Sequence, residues 1–391
     1  MTIESESLAL HEKLKGKLEI KSKMPIDSMK MLSLFYTPGV AEVSREIFKN
    51  KNRVYDLTNK GNSVAIITDG TRVLGLGKIG PEAALPVMEG KAILFKQFGN
   101  VDAFPLCIKA KTADEIVSFA EMVSPTFGGI NIEDIETPKC FEIYERLSEK
   151  LDIFVFHDDR HGTAIVVLAG LINALKVVGK KHESAKVVIG GAGAAGLGIA
   201  ELLVEYGFKN IILVDSSGII YEGRKENMNK YKEKIAGMTN KNKTKGKIED
   251  ALAGADVLIG AIGIENSISE EMVRRMNKNQ IVFALTNPNP EIYPDAAKKA
   301  GAKVIGTGRS DFPNQINNSL AFPGVFRGAL DVRARKINTK MQIAAAQALA
   351  GMVQNPIAEK ILPNTIDGGV MQVVAKAVAS AARESGVARL I

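Results

Sequence analysis

Short apolar runs alternate with amphipathic stretches over most of the chain. "SVAIITDG" (63–70) is an unbroken apolar run closed by a turn and predicts a buried strand. "PEAALPVMEGKAILFKQFG" spaces its apolar positions for a helix that starts after Gly80 with a proline in its first turn. "DAFPLCIKA" predicts the next strand, and "TADEIVSFAEMVSPTF" a helix opened by a Thr-x-x-Glu capping box. "GGINIED", "TPKCFEIYERLSEKL" and "IFVFHDD" continue as strand, helix and strand. Such alternation implies a mostly parallel sheet.

"GTAIVVLAGLINALKVVG" predicts a long apolar helix leading into a second unit. That unit opens with "AKVVIGGAGAAGLGIAELLVEYG" and "NIILVDSSG", then shows strand-to-turn junctions at "ADVLIGAIG", "IVFALTNP" and "AKVIGTG". Residues 5–35 read as short, amphipathic and partly helical, and residues 336–391 as Ala-rich and helical. The expected fold class is α/β: an N-terminal α/β domain (1–160) with a mostly parallel sheet, then a Rossmann-type, doubly wound dinucleotide-binding domain (161–391) ending in helices. A length of 391 residues suits two domains.

"VVIGGAGAAG" supplies Gly191-x-Gly193-x-x-Gly196 after one strand and at the opening of a helix. Glycine there permits a tight turn and lets backbone N–H groups approach a pyrophosphate at the positive end of the helix. The following strand ends in Asp215, at the distance expected for a ribose-binding carboxylate. Asp215 would favour NAD by accepting from the 2′-hydroxyl, whereas Arg224 and the lysines after it could reach the 2′-phosphate of NADP. The sequence leaves both cofactors open.

"FVFHDDRHGTA" (154–164) raises a different question. Asp158 and Asp159 repel each other, yet they follow an apolar strand. About 25 residues earlier the strand "GGINIED" also ends in two carboxylates, Glu133 and Asp134. One helix between the strands makes them parallel neighbours, so both pairs should emerge at the same sheet edge. Converging carboxylates call for a hard divalent cation, Mg²⁺ or Mn²⁺. His157 and His161 are four apart, but no helical glutamate lies between them, so they are expected to pack or hydrogen-bond rather than hold zinc.

The net charge of +7 is concentrated in a lysine-rich stretch around 224–247, which reads as a solvated face. With no tryptophan and 6% aromatics, base-stacking surfaces and a nucleic-acid partner are not expected. Cys107 and Cys140 cannot form a disulfide framework and are expected as buried free thiols. The N-terminus is charged from the start, unlike a secretory signal, and no apolar run was expected to reach the length of a membrane span. The expectation is a soluble cytoplasmic protein with no membrane partner.

Taken in order, "FYTPGVAEV", "TDGTRVLGLGKIGP", "PVMEGKAILF", "INIEDI", "FHDDRHGTA", "GAGAAG", "LTNPNPE" and "NNSLAFPG" resemble the malic enzyme family in its compact form, over nearly the whole chain. The resemblance implies oxidation and decarboxylation of L-malate to pyruvate and CO₂, with NAD or NADP reduced and Mg²⁺ or Mn²⁺ required. It implies Glu133, Asp134 and Asp159 as metal ligands, Asp158 as their helper, Lys91 as the base and Tyr36 as the acid that protonates C3. Arg72 would bind a substrate carboxylate, Asn287 would touch both malate and cofactor, and Asn317 or its neighbour Asn318 would fill a second such position. Gly191, Ala192, Gly193, Ala194, Ala195 and Gly196 would line the pyrophosphate. A lysine acts as a base only if its pKa falls, which burial near a cation would bring about. A homodimer is a further implication of the resemblance. The competing readings are an amino-acid dehydrogenase, which would not need two acidic pairs, a non-catalytic NAD(P) sensor, and malolactic chemistry without net NADH.

Overall fold

A computed structural model describes residues 2–73 and 75–390. Two sheets organise the chain. The first consists of β1 (Ser63–Thr68), β2 (Asp102–Cys107), β3 (Gly129–Ile132) and β4 (Phe154–His157), all parallel, in the order β2-β1-β3-β4. β1, β3 and β4 are buried along their whole length, which is why they read as unbroken apolar runs rather than alternating ones. The register pairs Ile67 with Ile132 and Ile132 with His157. The three strands therefore end level, and the residues that follow them leave at one rim.

The second sheet contains β5 (Lys186–Gly190), β6 (Asn210–Asp215), β7 (Gly218–Ile219), β8 (Val257–Gly260), β9 (Gln280–Ala284) and β10 (Ala302–Thr307) in the order β10-β9-β8-β5-β6-β7. Only the short β7 is antiparallel; it pairs with β6. The connections run outward in opposite directions from β5, so a crevice opens beyond its carboxyl end, where open α/β sheets bind ligands.

The helix Thr163–Val178 joins the two units, with Ala164, Ile165, Val166, Val167 and Leu168 all inaccessible to solvent. The stretch Asp158–Val178 is, contrary to the sequence reading, long and apolar enough to cross a bilayer. Most of it is buried inside the protein, and its apolarity is accounted for by packing on both sheets' cores. The helix Phe322–Asp331 packs against the helix Pro81–Gly99: the Phe95 ring lies 4.6 Å from that of Phe322 and 4.8 Å from that of Phe326.

The N-terminal helices Ile3–Leu14, Met29–Phe35 and Val40–Lys49 contain no buried residue. Ile3, Leu8, Met29, Phe35 and Phe48 are all exposed. Both cysteines are free thiols; Cys140 is buried as expected, whereas Cys107 is only half-buried.

Candidate active site

The rim of the first sheet gathers the acidic residues. Glu133 and Asp134 follow β3, and Asp158 and Asp159 follow β4 in a π-helical turn, Asp158–Gly162. One ligand oxygen each from Glu133, Asp134 and Asp159 can be chosen so that all three lie within 4.8 Å of one another. The fourth acid, Asp158, is not part of this trio. Its Oδ2 accepts from Lys91 Nζ at 2.5 Å and from Asn318 Nδ2 at 2.6 Å.

Lys91 comes from the middle of Pro81–Gly99 and is 8% exposed. Its ammonium also donates to Glu133 Oε1 at 2.6 Å and sits 4.7 Å from the centre of the Phe322 ring. Burial alone would depress its pKa. The carboxylates of Asp158, Glu133 and Asp159 outweigh burial and hold it above the ordinary lysine value. That direction belongs to the protein groups alone; the fall in pKa that a base needs depends on a divalent cation beside the lysine, whose charge would oppose these carboxylates. Lys96, the nearest alternative, points outward to Asp102.

Burial raises the pKa of Glu133 well above the carboxylate range, and Asp159, Asp158 and Asp134 reinforce the shift while Lys91 opposes it. Burial raises Asp158 as well. One ammonium among four carboxylates leaves excess negative charge in a closed site, so the donor set fits a divalent cation with oxygen ligands. His157 is fully buried, and burial lowers its pKa to about 4, so it is neutral at ordinary pH. His161 Nδ1 accepts from the His157 backbone N–H, and its ring lies beside those of Tyr144 and Phe156. These are packing and hydrogen-bonding roles.

Two contributors to this rim escaped the sequence reading. Asn131, buried within β3, donates to Glu133 Oε2 at 2.7 Å. A polar residue at a buried strand position was the available signal. Asp69 accepts from Lys139 at 2.5 Å and from Thr71, and Thr71 Oγ1 in turn accepts the Glu136 backbone N–H, which braces the loop bearing Arg72.

Arg72 stands between the two units. Its backbone N–H donates to the Asp134 carbonyl, and its Nη2 lies 3.5 Å from where a Gly263 Cβ would be. Asn287 lies on the loop after β9; its carbonyl oxygen approaches Gly75 and its Nδ2 approaches Gly308. Of the two asparagines left open in register, Asn318 reaches the cluster. Asn317 instead accepts from Ser319 N and donates to the Gly308 carbonyl. Tyr36 is not brought to the cluster within one chain: it caps the helix Met29–Phe35 and is 65% exposed.

The glycine-rich turn follows β5. Gly191 has φ +105°, and any Cβ there would strike the Ala261 carbonyl oxygen, so only glycine fits. A Cβ at Gly196 would strike the Gly191 carbonyl oxygen, whereas one at Gly193 would meet nothing within 4 Å. Gly193 thus faces open space just before the helix Ala194–Tyr206, beside Ala192, Ala194 and Ala195. Asp215 ends β6 but is already engaged. Arg224 donates to both of its oxygens, at 2.9 and 2.5 Å, Lys232 donates at 2.7 Å and the Ser217 N–H at 2.9 Å. Burial would raise its pKa, but Arg224 and Lys232 hold it below the usual carboxylate range. The basic residues read from sequence as 2′-phosphate contacts thus face Asp215 itself.

The family model for the malic enzyme NAD-binding domain matches residues 161–383, and the model for the malic enzyme N-terminal domain matches 15–115. The chain is 55% identical to the bifunctional malic/malolactic enzyme of Bacillus subtilis (strain 168), covering 100% of this chain and 95% of the relative. It is 51% identical to the NAD-dependent malic enzyme of Geobacillus stearothermophilus, covering 96% of this chain and 78% of the relative. The crystal structure of the malic enzyme from Pyrococcus horikoshii Ot3 superposes with a TM-score of 0.94 at 47% identity, over 100% of this chain and 93% of that one.

Proposed function

Since the chain belongs to the malic enzyme family and oxidatively decarboxylates L-malate with NAD(P), we propose that the rim of its first sheet is where that chemistry occurs. The observation that carries this reading is the convergence of the Glu133, Asp134 and Asp159 oxygens beside the Lys91–Asp158 pair.

Glu133, Asp134 and Asp159 would hold Mg²⁺ or Mn²⁺. When bound, such an ion supplies Lewis acidity at the C2 oxygen and stabilises the enolate left by CO₂. A bound NAD(P) would supply the acceptor for the C2 hydride. Lys91 takes the C2-hydroxyl proton, and Asp158 and Asn318 aim its ammonium. Arg72 grips a substrate carboxylate through its planar fork, and Asn287 orients substrate against cofactor. Gly191 to Gly196 seat the pyrophosphate at the helix N-terminus. The functional division falls near residue 160, with substrate and metal groups before it and dinucleotide groups after it.

Tyr36 delivers the C3 proton. Because it is exposed on a segment with no buried residue, a second copy is the means of covering that segment and placing Tyr36 near a cluster. The apolar faces of Ile3–Leu14 and Val40–Lys49 support a homodimer on the same ground. Free thiols suit the reducing cytoplasm.

The test is turnover of L-malate by purified protein with Mn²⁺ and either cofactor, with and without EDTA, reading NAD(P)H and lactate together. Reduced cofactor that EDTA abolishes supports this reading. Lactate without net NADH would favour the malolactic activity named for the Bacillus subtilis relative.

A further inference from the structure

Glu291 is completely buried, and its carboxylate is bound by backbone N–H groups and a hydroxyl rather than by a basic side chain. Oε1 accepts from Ile262 N at 2.9 Å and from Thr286 Oγ1 at 2.6 Å, and Oε2 accepts from Thr286 N at 3.1 Å. Thr286 Oγ1 also accepts from Gly263 N at 3.0 Å. One carboxylate thereby ties the loop after β8 to the loop after β9.

Both loops lead to groups that face the ligands. The first contains Ala261, whose carbonyl oxygen packs on Gly191 of the glycine-rich turn, and Gly263, which lies beside Arg72. The second contains Asn287 immediately after Thr286. The close fit extends to the sheet: a Cβ on Gly260 would lie 2.7 Å from the Glu291 carboxyl carbon. A buried anion held only by N–H and O–H donors has no slack, because every donor would be stranded if it moved.

We infer that Glu291 is a positioning residue: through Ile262, Gly263 and Thr286 it fixes the two adjoining loops that border the dinucleotide crevice on its β8–β9 side, and so sets the place of Asn287. The inference rests on the proposed roles of Asn287 and the glycine-rich turn. It extends those roles by naming the group that keeps them in register. A glutamine at 291 would turn its NH₂ toward either Ile262 N–H or Thr286 N–H, so the full set of bonds to the two loops could not be kept.

The experiment compares Glu291→Gln, Thr286→Val and Thr286→Ser in the full chain. It reads NADH affinity by fluorescence titration, melting temperature by circular dichroism, and KM for each substrate. Glu291→Gln should weaken NADH binding tenfold or more and raise the dinucleotide KM in proportion. Thr286→Val should do so several-fold, and Thr286→Ser should restore values to within twofold of wild type. A drop in melting temperature with unchanged NADH affinity in Thr286→Val would overturn the inference, whether or not Glu291→Gln folds. NADH affinity is measured without turnover. A wild type that binds NADH but leaves malate untouched would therefore count against the proposed function alone.

Discussion

Lys91 Nζ and Asp158 Oδ2 lie 2.5 Å apart in a closed site, and Asn318 donates to the same oxygen from beyond the second sheet. The lysine is therefore aimed by residues from two parts of the chain. Asp158, adjacent in sequence to the proposed ligand Asp159, serves that aim rather than the trio of oxygens.

Lys91→Ala should lower kcat by about 10² to 10⁴, the usual contribution of a positioned acid–base group, while NADH affinity stays within twofold. The substitution also leaves Glu133 and Asp158 buried without their cation, which costs about 3–5 kcal/mol. Mn²⁺ should then raise the variant's melting temperature more than that of the wild type. Calorimetry with and without Mn²⁺ checks both effects, and near-normal turnover would remove Lys91 from its role.

Asn131→Ala removes a hydrogen bond that orients the Glu133 carboxylate while leaving all three acids of the cluster in place. Such supporting partners typically contribute 10- to 100-fold in metal affinity or activity. The half-saturating Mn²⁺ concentration should rise by about that factor, and excess Mn²⁺ should restore kcat. A titration of initial rate against free Mn²⁺ settles the point.

The glycine-rich turn allows a contrast between two neighbouring substitutions. Gly193→Ala places its methyl group in open space, so the free protein should keep its melting temperature while NADH affinity falls at least tenfold. Gly196→Ala drives a methyl group into the Gly191 carbonyl, so both folding stability and affinity should fall. Equal NADH affinity in wild type and Gly193→Ala would mean that the pyrophosphate lies elsewhere.

Asp215 carries a sign that acid titration can read. Its carboxyl is held low in the folded chain, so the folded state keeps it ionised at pH values where the unfolded chain is already protonated. The stabilisation from Arg224 and Lys232 is therefore complete above the unfolded value, about 3.9, and fades as pH falls toward the depressed folded value. Asp215→Asn should lower stability at pH 7 by about 3–5 kcal/mol, because two mostly buried cations lose their partner. Below pH 4 the gap between variant and wild type should narrow. Chemical denaturation at pH 7, 5 and 3.5 measures it.

Much of the first sheet was legible because its strands are buried on both faces, which leaves apolar runs with turn residues at their ends. The acidic rim was legible for the same reason: charge directly after such a run has to be explained. The aim of Lys91 was not, since nothing in "MEGKAILF" shows that Asp158, 67 residues further on, will meet it, or that Asn318 will reach the same carboxylate. The choice between Asn317 and Asn318 depends on a one-residue turn of backbone that composition does not record. The engagement of Asp215 was hidden too, because Arg224 and Lys232 read equally well as ligands for a phosphate. The apolar length of Asp158–Val178 was underestimated because the turn residues at its head were counted as a break, whereas they wind directly into the helix.

That winding has a consequence for how the chain can vary. Asp158–Gly162 makes a wider coil than an α-helix, and Thr163 continues from it without interruption. Deleting one residue from the coil would rotate everything on one side of it by about 100° relative to the other. The rim would then lose Asp159, or the connecting helix would turn its polar positions into the core. Length at this junction should be maintained as strictly as the two acids it carries.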